Sequence, residues 1–489
     1  MDKFKYTQQL ADQRGLFFPT AEIHSSLSGF WDFGPFAANV RRKLIDTWRK
    51  EVVRKINSIE IEGSVILPKQ NFKASGHLDH FVDPLVQCRK CHKIFRADKL
   101  LEKALKKEVP EALDEKKFDE LVKSNNVRCP ECKGELGNVK KFNMMLGVSI
   151  GPLTNETNAY LRPETCQNIF TAFYKIYKTG RVSLPLAISQ VGRAFRNEIS
   201  PRQGLLRMRE FTQLETEVFF NPRKIDDVPE FDKYKNYKLM LKIGRGDARA
   251  IKLADIVKRG MVSGKLVAYY LAVAQQFFQA LGFQPNEFRF RKLEKEAKAF
   301  YSKETWDFEV KTEVGWLELV ANNYRTDYDL TSHSKVSGID LSVVEDGEKF
   351  IPHVWEISMG LDRIFYALVE HSVSQRDGKP ILKLPKFTSP LDAVVLPLVR
   401  KDGIDEKAKM IYDMLKKDFD VKYDEKQSIG KRYLIYDQLG VPLAITVDYE
   451  SLKNDDVTVR DRDTSKQVRV KIADLNKILN KMCRGEKIF

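Results

Sequence analysis

The feature that most constrains the fold is a pair of alternating runs that flank a polar turn between residues 195 and 219. Side chains alternate between the two faces of a strand, so residues 185–220 are expected to be strands joined as a β-hairpin. Its long loop would be Ile199–Gly204 (ISPRQG). One face would carry Arg196 and Glu198 on the first run and Phe211, Gln213, Glu215 and Glu217 on the second.

This polar face has two interpretations. Charged faces of strands are usually solvated, so either run alone predicts no more than a wet surface. Burying an arginine and several carboxylates together is costly unless a ligand satisfies them. The hairpin therefore predicts a sheet and, if its polar face is covered, a binding site.

A second candidate site lies where an apolar strand runs directly into a helix, at residues 354–363 (VWEISMGLDR). Alternation places Glu356 and Ser358 on one face of the strand. Gly360 lets a ligand approach the backbone, and Arg363 lies in the first helical turn. A helix N-terminus favours anions and an arginine fork matches phosphate, although a single arginine is more often an ordinary ion-pair residue.

Two C-x-x-C pairs, Cys88/Cys91 and Cys129/Cys132, indicate a metal site. Two residues between thiolates let a tight turn aim both sulfurs at one tetrahedral ion, and two such pairs close a Cys₄ zinc site. A closed site is structural, and it would hold together an insertion without an apolar core of its own. Reduced cysteines that bind nothing and a redox pair are the alternatives.

Length, hydropathy and charge set outer limits. A chain of 489 residues predicts two to four domains. The longest apolar stretch, Leu266–Ala274, is far below the ~20 residues of a membrane helix, and residues 1–14 show no signal peptide, so a cytoplasmic location is expected. The net charge of +15 fits a nucleic-acid partner or merely a soluble surface. Residues 221–305 carry 18 basic and 10 acidic residues (+8), whereas residues 390–489 carry 20 and 18 (+2).

Periodicity and turn residues divide the rest of the chain. Residues 221–305 are Lys-rich and expected to be mostly helical, and Pro380–Pro390 predicts a linker. From Leu391 onwards strands and helices alternate. The expected helices are Phe36–Ile56, one or two within Leu100–Val122, Leu266–Leu281 and Asp405–Lys417.

Together these segments resemble the class II aminoacyl-tRNA synthetases. Phe195–Glu198 with Arg207 and Phe211 is similar to motif 2, Gly360–Arg363 to motif 3, and the helix and strand that end at Pro68 to motif 1. Within that class the match narrows to the homodimeric glycyl-tRNA synthetases. The resembling pieces are Ala21–Ile23, Gly29–Pro35, Lys73–His77, Phe95–Asp98, Leu161–Thr165, Glu210–Glu215, Tyr328–Leu330 and Glu356–Ser358.

The resemblance implies an α+β fold: a catalytic core built on an antiparallel sheet with helices and insertions, followed by a C-terminal α/β anticodon-binding domain. The implied boundaries are residues 1–386 for the core, 88–141 for a zinc-binding insertion, 221–305 for a basic helical insertion and 387–489 for the anticodon-binding domain. Tyr423–Tyr433 and Val459–Gln467 would offer aromatic and guanidinium planes to unstacked bases. Simple solvated loops are the alternative for both segments.

The implied activity is that of a glycine–tRNA ligase. Glycine's carboxylate attacks the α-phosphate of ATP to give glycyl-adenylate, and the terminal ribose of tRNA(Gly) then takes the glycyl group. The partners would be ATP, glycine, tRNA(Gly) and a second copy of the chain in a homodimer, with no membrane. The implied ATP-binding residues are Arg196, Asn197, Glu198, Arg207, Met208, Phe211, Glu318, Leu319, Gly360 and Arg363.

Residue roles carry over from the matching motifs. Arg196 would clamp the α-phosphate and Arg363 the γ-phosphate, which makes these two the catalytic residues. Phe211 would stack on adenine, Glu198 would bind its amino group, and Glu318 would help hold Mg²⁺, which prefers oxygen ligands.

Glycine has no side chain that a binding site could contact. The resemblance assigns its ammonium group to Glu164, Glu215, Glu356 and Ser358, and its carboxylate to Arg96. A site that fills the space around Cα would exclude larger amino acids by steric clash.

The sequence departs from the family pattern at three places. Ser25 and Ser26 replace a double glycine, Cys166 stands where alanine is usual, and residues 318–323 (ELVANN, with Asn322) replace a Gly-Ile-Ala pattern.

Two rival functions are considered. One is another class II synthetase, such as the threonyl or prolyl enzyme, which the carboxylates Glu164, Glu215 and Glu356 argue against. The other is an inactive relative that binds nucleic acid as an accessory subunit, which should have lost Arg196 and Arg363.

Overall fold

The expected hairpin lies at the centre of the largest sheet. The computed structural model describes residues 2–486 except 108, 111–112, 153–156, 200, 202–203, 245 and 295–300. Leu186–Phe195 pairs antiparallel with Glu210–Phe220, as the alternation predicted, and the turn at 199–204 lies partly outside the described residues. Arg196 and Glu198 are not on the first strand, because its ladder ends at Phe195; they lie in the segment that follows.

Neighbouring strands extend the hairpin on both sides into the central sheet. In the part of the chain that the structure describes, this sheet has nine strands, and their pairing is mostly antiparallel, as expected for the catalytic core. In sheet order they are Ala248–Lys252, Lys238–Lys242, Phe288–Lys292, Glu304–Thr312, Gly315–Thr326, His353–Gly360, Glu210–Phe220, Leu186–Phe195 and Ile59–Ile61.

Helices and short sheets surround the central sheet. Lys265–Ala280 is apolar nearly all round and is accordingly buried. Across the described residues, no helix is both long and apolar enough to cross a membrane. The other helices of this region are Lys3–Arg14, Pro35–Trp48, Lys69–Ala74, His77–His80, Cys166–Thr179, Phe231–Tyr234, Leu253–Lys258, Tyr328–Ser337 and Leu361–Ser372. The short sheets pair Phe17–Pro19 with Trp31–Phe33, Val343–Glu345 with Glu348–Phe350, Val373–Arg376 with Lys379–Leu382, and Thr157–Leu161 with both Ile66–Pro68 and Leu146–Ile150.

The basic segment 221–305 is not mostly helical. Its strands Lys238–Lys242, Ala248–Lys252 and Phe288–Lys292 join the central sheet. In the sequence FRFRK, phenylalanines alternate with basic residues, so the phenylalanines are buried while the basic residues take the other face. The expectation failed because the high lysine content masked this two-residue period.

The cysteine-bearing insertion has a small apolar core, contrary to the expectation that it lacks one. Val86, Leu101, Phe118 and Val122 are among the residues buried in it. The charged segment Leu100–Val122 was expected to form one or two helices, and it takes part in two. The elements of the insertion are the helices Ala97–Leu105 and Glu115–Ser124 and the strands Val82–Gln87, Ile94–Arg96 and Lys140–Asn143.

The C-terminal block has the expected alternation of strands and helices. Arg432, Arg460 and Arg462 are buried and bonded within the block, so these guanidinium groups do not offer planes to bases as expected. The strands, in sheet order, are Val421–Tyr423, Ala393–Pro397, Leu443–Val447, Asp456–Asp461 and Gln467–Lys471. The helices are Ile404–Leu415, Ile429–Gln438, Tyr449–Asn454 and Leu475–Cys483.

The C-terminal block packs closely on the rest of the chain. Val394 and Tyr436 belong to the same buried apolar cluster as the central sheet. Arg14 donates from Nε to Gln438 Oε1 at 3.1 Å. The Pro-rich stretch expected to be a linker is likewise packed, since Lys379–Leu382 is a strand and Thr388 is fully buried.

Candidate active site

A cavity of about 280 Å³ opens over the neighbouring strands Glu210–Phe220 and His353–Gly360 of the central sheet. Most of the candidate residues from separate parts of the sequence meet there. Those that line it are Glu164, Arg196, Glu198, Arg207, Met208, Phe211, Glu318, Leu319, Glu356, Ser358, Gly360 and Arg363. Glu215 is fully buried and does not itself line the cavity; its carboxylate is bonded to the lining residue Ser358. Asn197, whose backbone N–H donates to the carbonyl of Met144 at 2.9 Å, does not line it.

Arg196 is held between two aromatic rings. Its guanidinium carbon lies 5.2 Å from the ring centroid of Phe211 and 5.4 Å from that of Phe81. Its Nε donates to the carbonyl of Pro163 at 3.1 Å. Within the described part of the chain no carboxylate pairs with it, so its charge is positioned by packing and available to an anionic ligand.

Arg363 and Glu318 form the opposite rim. Arg363 donates from Nε to the carbonyl of Leu206 and from Nη1 to the carbonyl of Glu318, both at 3.2 Å. Its Nη1 lies 3.8 Å from the Glu318 carboxylate, and the two side chains are 38% and 45% exposed. Because this pair is loose and solvated, both groups can turn to a phosphate or a cation.

Arg96 lies outside the cavity lining and is connected to it through an ion pair. It contacts Asp98 of the insertion at 2.7 Å and Asp83, on the strand Val82–Gln87 that leads into the insertion, at 3.0 Å. Arg207 lies 3.8 Å from the same Asp83 and donates from Nε to Glu198 at 2.6 Å. A chain of alternating charges thus connects the insertion to the cavity wall, but Arg96 does not line the cavity as expected.

Glu215 forms the deepest part of the site. Its Oε2 accepts from the hydroxyls of Ser358 and Thr165, each at 3.2 Å. Burial raises the pKa of Glu215 well above the usual carboxyl range, and the nearby Glu356 and Glu164 raise it further.

Glu164 behaves in the opposite way. Its Oε1 accepts from the Cys166 thiol and the Gln167 amide, both at 3.0 Å, and lies 3.3 Å from Nε2 of His77. Burial opposes ionisation, but the interaction with His77 prevails and holds the pKa of Glu164 well below its usual range. Ser75 fixes the His77 ring through an Oγ–Nδ1 contact of 2.7 Å.

Glu356 is anchored by an amide and a guanidinium. Asn323 donates to one carboxylate oxygen at 2.6 Å, and Arg325 donates to the other at 3.1 Å. Arg325 also binds Asp329 at 2.7 and 2.8 Å and lies 3.9 Å from the ring centroid of Tyr301. Burial raises the pKa of Glu356 even though Arg325 opposes the shift.

The site therefore has an acidic floor and a basic rim. His77 lowers the pKa of Glu164 against the effect of burial, whereas burial raises the pKa of Glu215 and of Glu356. Arg196 and Arg363 at the rim favour a polyanion. This polarity suits a small zwitterion that puts its cationic group inward while its anionic group meets a bound phosphate.

Three polar residues of the site were not anticipated. Tyr301 and Asn323 line the cavity, and Arg325 supports Glu356 from behind. Asn323 could have been found, because it lies in the segment 318–323 that departs from the family pattern. Tyr301 follows a charged stretch and has no local signal, and Arg325 looks like any strand arginine until its buried partners are known.

The four paired cysteines converge as their spacing predicted. The ligand atoms of Cys88, Cys91, Cys129 and Cys132 all lie within 4.8 Å of one another. The Cys88 and Cys132 sulfurs are 3.5 Å apart, and those of Cys91 and Cys129 are 3.6 Å apart. The backbone N–H of Cys91 is the main cause that lowers the pKa of Cys88 to about 6, whereas at Cys91 the backbone N–H of Lys93 is outweighed by burial and the neighbouring thiols, which raise its pKa to about 12. The donor set fits a structural zinc ion.

Comparison with protein families agrees with this architecture. Residues 152–372 match the model of the tRNA synthetase class II core domain (G, H, P, S and T), and residues 392–482 match that of the anticodon binding domain. Among solved structures, Giardia lamblia prolyl-tRNA synthetase in complex with prolyl-adenylate superposes with a TM-score of 0.61 at 17% identity. The superposition covers 96% of this chain and 74% of that chain, and it supports the fold alone.

Relatives that match this chain along its full length are more similar to it than this solved structure is. The glycine–tRNA ligase of Pyrococcus furiosus is 38% identical over 99% of this chain and 100% of its own length. That of Pyrococcus abyssi is 37% identical, with 99% of each chain covered. That of Methanocaldococcus jannaschii is 35% identical and covers 97% of this chain and 98% of its own. With this similarity along its whole length and a class II core built around the cavity, the chain belongs to the glycine–tRNA ligase family of class II aminoacyl-tRNA synthetases.

Proposed function

We propose that this protein activates glycine with ATP and transfers the glycyl group to the 3′ end of tRNA(Gly). The observation that carries the proposal is the polarity of the cavity, with the carboxylates of Glu164 and Glu356 at its floor, that of Glu215 bonded to the floor residue Ser358, and two arginines at its rim. A glycine molecule would place its ammonium among the carboxylates and its carboxylate toward the α-phosphate of ATP at the rim.

The rim residues would bind ATP. Arg196 would contact the α-phosphate and Arg363 the γ-phosphate, and Phe211 would stack on the adenine whose amino group Glu198 binds. Phosphoryl and nucleotidyl transfer depend mainly on alignment and on charge stabilisation, which fixed guanidinium groups provide without reorganisation. The packing of Arg196 on two rings supports its role as a preset contact.

The floor would select glycine. Glu164, Glu215 and Glu356 would surround the ammonium, with Ser358 bonded to Glu215. A floor that fills the space around Cα would exclude larger amino acids by steric clash. Arg96 would reach the substrate carboxylate only after releasing Asp83 or Asp98.

Two metal ions belong to the proposal. Glu318 would help hold the Mg²⁺ that accompanies ATP, since it is a half-exposed oxygen donor beside the phosphate-binding arginine, and the ion would add positive charge at the phosphates. Cys88, Cys91, Cys129 and Cys132 would hold a structural Zn²⁺.

The domain roles follow from position. Residues 1–386 would form the catalytic core, with insertions 88–141 and 221–305, and residues 387–489 would read the anticodon. The basic excess of 221–305 suits phosphate contacts near the acceptor end of tRNA, which add affinity but little sequence information. We place the reaction in the cytoplasm, where charged tRNA is used.

A homodimer completes the proposal. Val336, Ile339 and Val344 are exposed apolar residues close together in the chain, which supports a covered surface there. Sedimentation at micromolar concentration should give the mass of two chains, and charge substitutions at these residues should yield monomers. A monomer at all concentrations would refute this assembly.

The decisive experiment is ATP–pyrophosphate exchange with each of the twenty amino acids. Glycine alone should support exchange. Exchange with threonine or proline instead would indicate another class II synthetase, and no exchange with any amino acid would indicate an inactive nucleic-acid-binding relative.

A further inference from the structure

A second group of ligand-type side chains lies against the floor of the cavity, and the proposed reaction leaves part of it unused. Cys166, Glu215, Glu217 and Glu356 are all buried, and their ligand atoms lie within 4.8 Å of one another. Glu215 and Glu217 share a face of strand Glu210–Phe220, and Glu356 lies directly opposite Glu217 on the next strand. Cys166 is the first residue of helix Cys166–Thr179.

The unusual member of this group is Glu217. It is completely buried, yet neither of its carboxylate oxygens has a hydrogen-bond partner among the described residues. One oxygen of Glu215 is also without a partner in the described structure. Buried carboxylate oxygens almost always have partners, so three unpartnered oxygens beside a thiol indicate a missing cation.

Among the described residues, Arg325 makes no hydrogen bond to Glu217. Arg325 is already bound to both oxygens of Asp329 and to Glu356. The second layer of contacts is also typical of a ligand site: Ser358 and Thr165 hold Glu215, and Asn323 and Arg325 hold Glu356. Such outer bonds orient carboxylates toward a metal ion.

We propose that Cys166, Glu215, Glu217 and Glu356 form a binding site for one divalent ion of the zinc class. Zinc bond lengths of about 2.0–2.3 Å place tetrahedral donors roughly 3.3–3.8 Å apart, so these four donors need to move inward by less than about 1 Å each. A thiolate donor selects zinc, cobalt or cadmium over magnesium. Binding would release the thiol proton, and the protons of any neutral carboxyl groups, to the solvent.

The site overlaps the place assigned to the glycine ammonium, and this part of the inference rests on the proposed function. Glu215 and Glu356 would be shared, whereas Cys166 and Glu217 would serve the metal alone. A bound ion would therefore act as an inhibitor that competes with glycine and not as a cofactor.

The test is a titration with Co²⁺ of substrate-free enzyme that carries one zinc per chain, in the four-cysteine site, followed by absorption and by equilibrium dialysis. The wild type should bind one more ion per chain than the variants Cys166→Ala and Cys166→Ser, and should show a thiolate-to-cobalt charge-transfer band that both lack. Glu217→Gln keeps the side-chain shape and should weaken binding roughly tenfold or more. Cys483→Ala, which removes an exposed thiol elsewhere, should behave like the wild type.

Absence of the extra ion, or equal binding by the wild type and Glu217→Gln, would overturn the proposal. Saturating glycine should displace the cobalt and remove the band. If cobalt binds but glycine does not displace it, the metal site stands and the placement of glycine on Glu215 and Glu356 fails. Pyrophosphate exchange measured with Mg²⁺ and without added cobalt tests the proposed function separately, whatever the titration shows.

Discussion

Arg363 reaches the cavity rim from the first turn of its helix with little packing around its guanidinium. We expect Arg363→Ala to slow glycyl-adenylate formation about 10²–10³-fold, because it removes a charge contact to phosphate, and to leave the melting temperature nearly unchanged. Pyrophosphate exchange measures the effect. Arg193→Ala is a matched control, since Arg193 is 45% exposed and pairs with Glu210 on the hairpin outside the cavity. Exchange near the wild-type rate in Arg363→Ala would remove it from the ATP site.

Glu215→Gln should raise the KM for glycine much more than the KM for ATP. Glutamine keeps an oxygen that accepts from Ser358 and Thr165, so the floor keeps its shape and loses only the negative charge that would face the ammonium. Steady-state exchange kinetics with each substrate varied in turn distinguish the two constants. A parallel rise of both constants would mean that Glu215 is structural.

The buried carboxyl groups predict a pH effect on stability. Burial, and then Glu356, raise the pKa of Glu217 well above its ordinary value of 4.5. The folded state then binds more protons than the unfolded state above pH 4.5, so this group lowers stability as pH rises toward its folded pKa. Glu217→Gln has no proton to lose, and its melting temperature should fall less between pH 6 and pH 9 than that of the wild type. Parallel melting curves across this range would show that Glu217 does not titrate there.

Candidate residues inside recognisable motifs were predictable, and supporting residues were not. Glu356 and Ser358 follow from strand alternation, and all of the candidate ATP- and glycine-binding residues except Arg96, Asn197 and Glu215 line the cavity. Arg325 gains its importance from burial beside Asp329 and Glu356, which depends on strands far apart in the sequence. Arg96 stays a prediction, because it lies outside the cavity lining and is held there by its local partners Asp83 and Asp98.

At the scale of elements, the cysteine-bearing insertion combines two sources of stability. Its two C-x-x-C turns depend on the four cysteine thiolates, whereas its helices Ala97–Leu105 and Glu115–Ser124 bury an apolar core. We expect chelation to release about one zinc per chain and to increase hydrogen exchange at residues 88–93 and 129–136 far more than in the two helices. Cys88→Ser should have the same local effect, and Cys483→Ser none. Equal loss of protection from hydrogen exchange throughout 88–132 would mean that the apolar core is not stable without the metal.

Elements were predictable where one periodicity dominated. The hairpin has a two-residue period, and helix Lys265–Ala280 is apolar along its length, so both were placed correctly. In segment 221–305 a high lysine content coincides with a two-residue period. The prediction from composition, that the segment is mostly helical, was wrong. The Pro-rich stretch before Leu391 was taken for a linker because its packing comes from residues distant in the chain.

At the scale of the whole molecule, the C-terminal block shares a buried apolar cluster with the central sheet, so deleting the block would expose apolar surface of the sheet. Charge reversal on its surface is a better test of tRNA recognition. Lys426, Lys431 and Lys466 are exposed in the two segments expected to face bases. Changing all three to Glu should impair tRNA charging at least tenfold and spare pyrophosphate exchange, because phosphate contacts are lost far from the cavity.

The matched control reverses three other exposed lysines of the same block, Lys417, Lys477 and Lys481. It changes the net charge by the same amount. If both triple variants lose charging equally, the effect is one of overall charge and not of these segments. If neither loses charging, the tRNA lies elsewhere.

The overall architecture followed from motif order, because a class II core and an anticodon-binding block each have their own pattern. How the two pack together could not be predicted. That packing depends on single side chains such as Arg14 and Gln438, which no local pattern connects.

The contact between Arg14 and Gln438 also has a consequence for biosynthesis. The two residues are 424 positions apart, so at about 5–20 residues per second the ribosome needs roughly 20–85 s to deliver the second after the first. During that time the apolar side of helix Lys3–Arg14, including Leu10 and Ala11, has only part of its final surroundings. Nascent chains should therefore engage chaperones until translation is nearly complete, and slow codons late in the message should increase aggregation more than slow codons early in it.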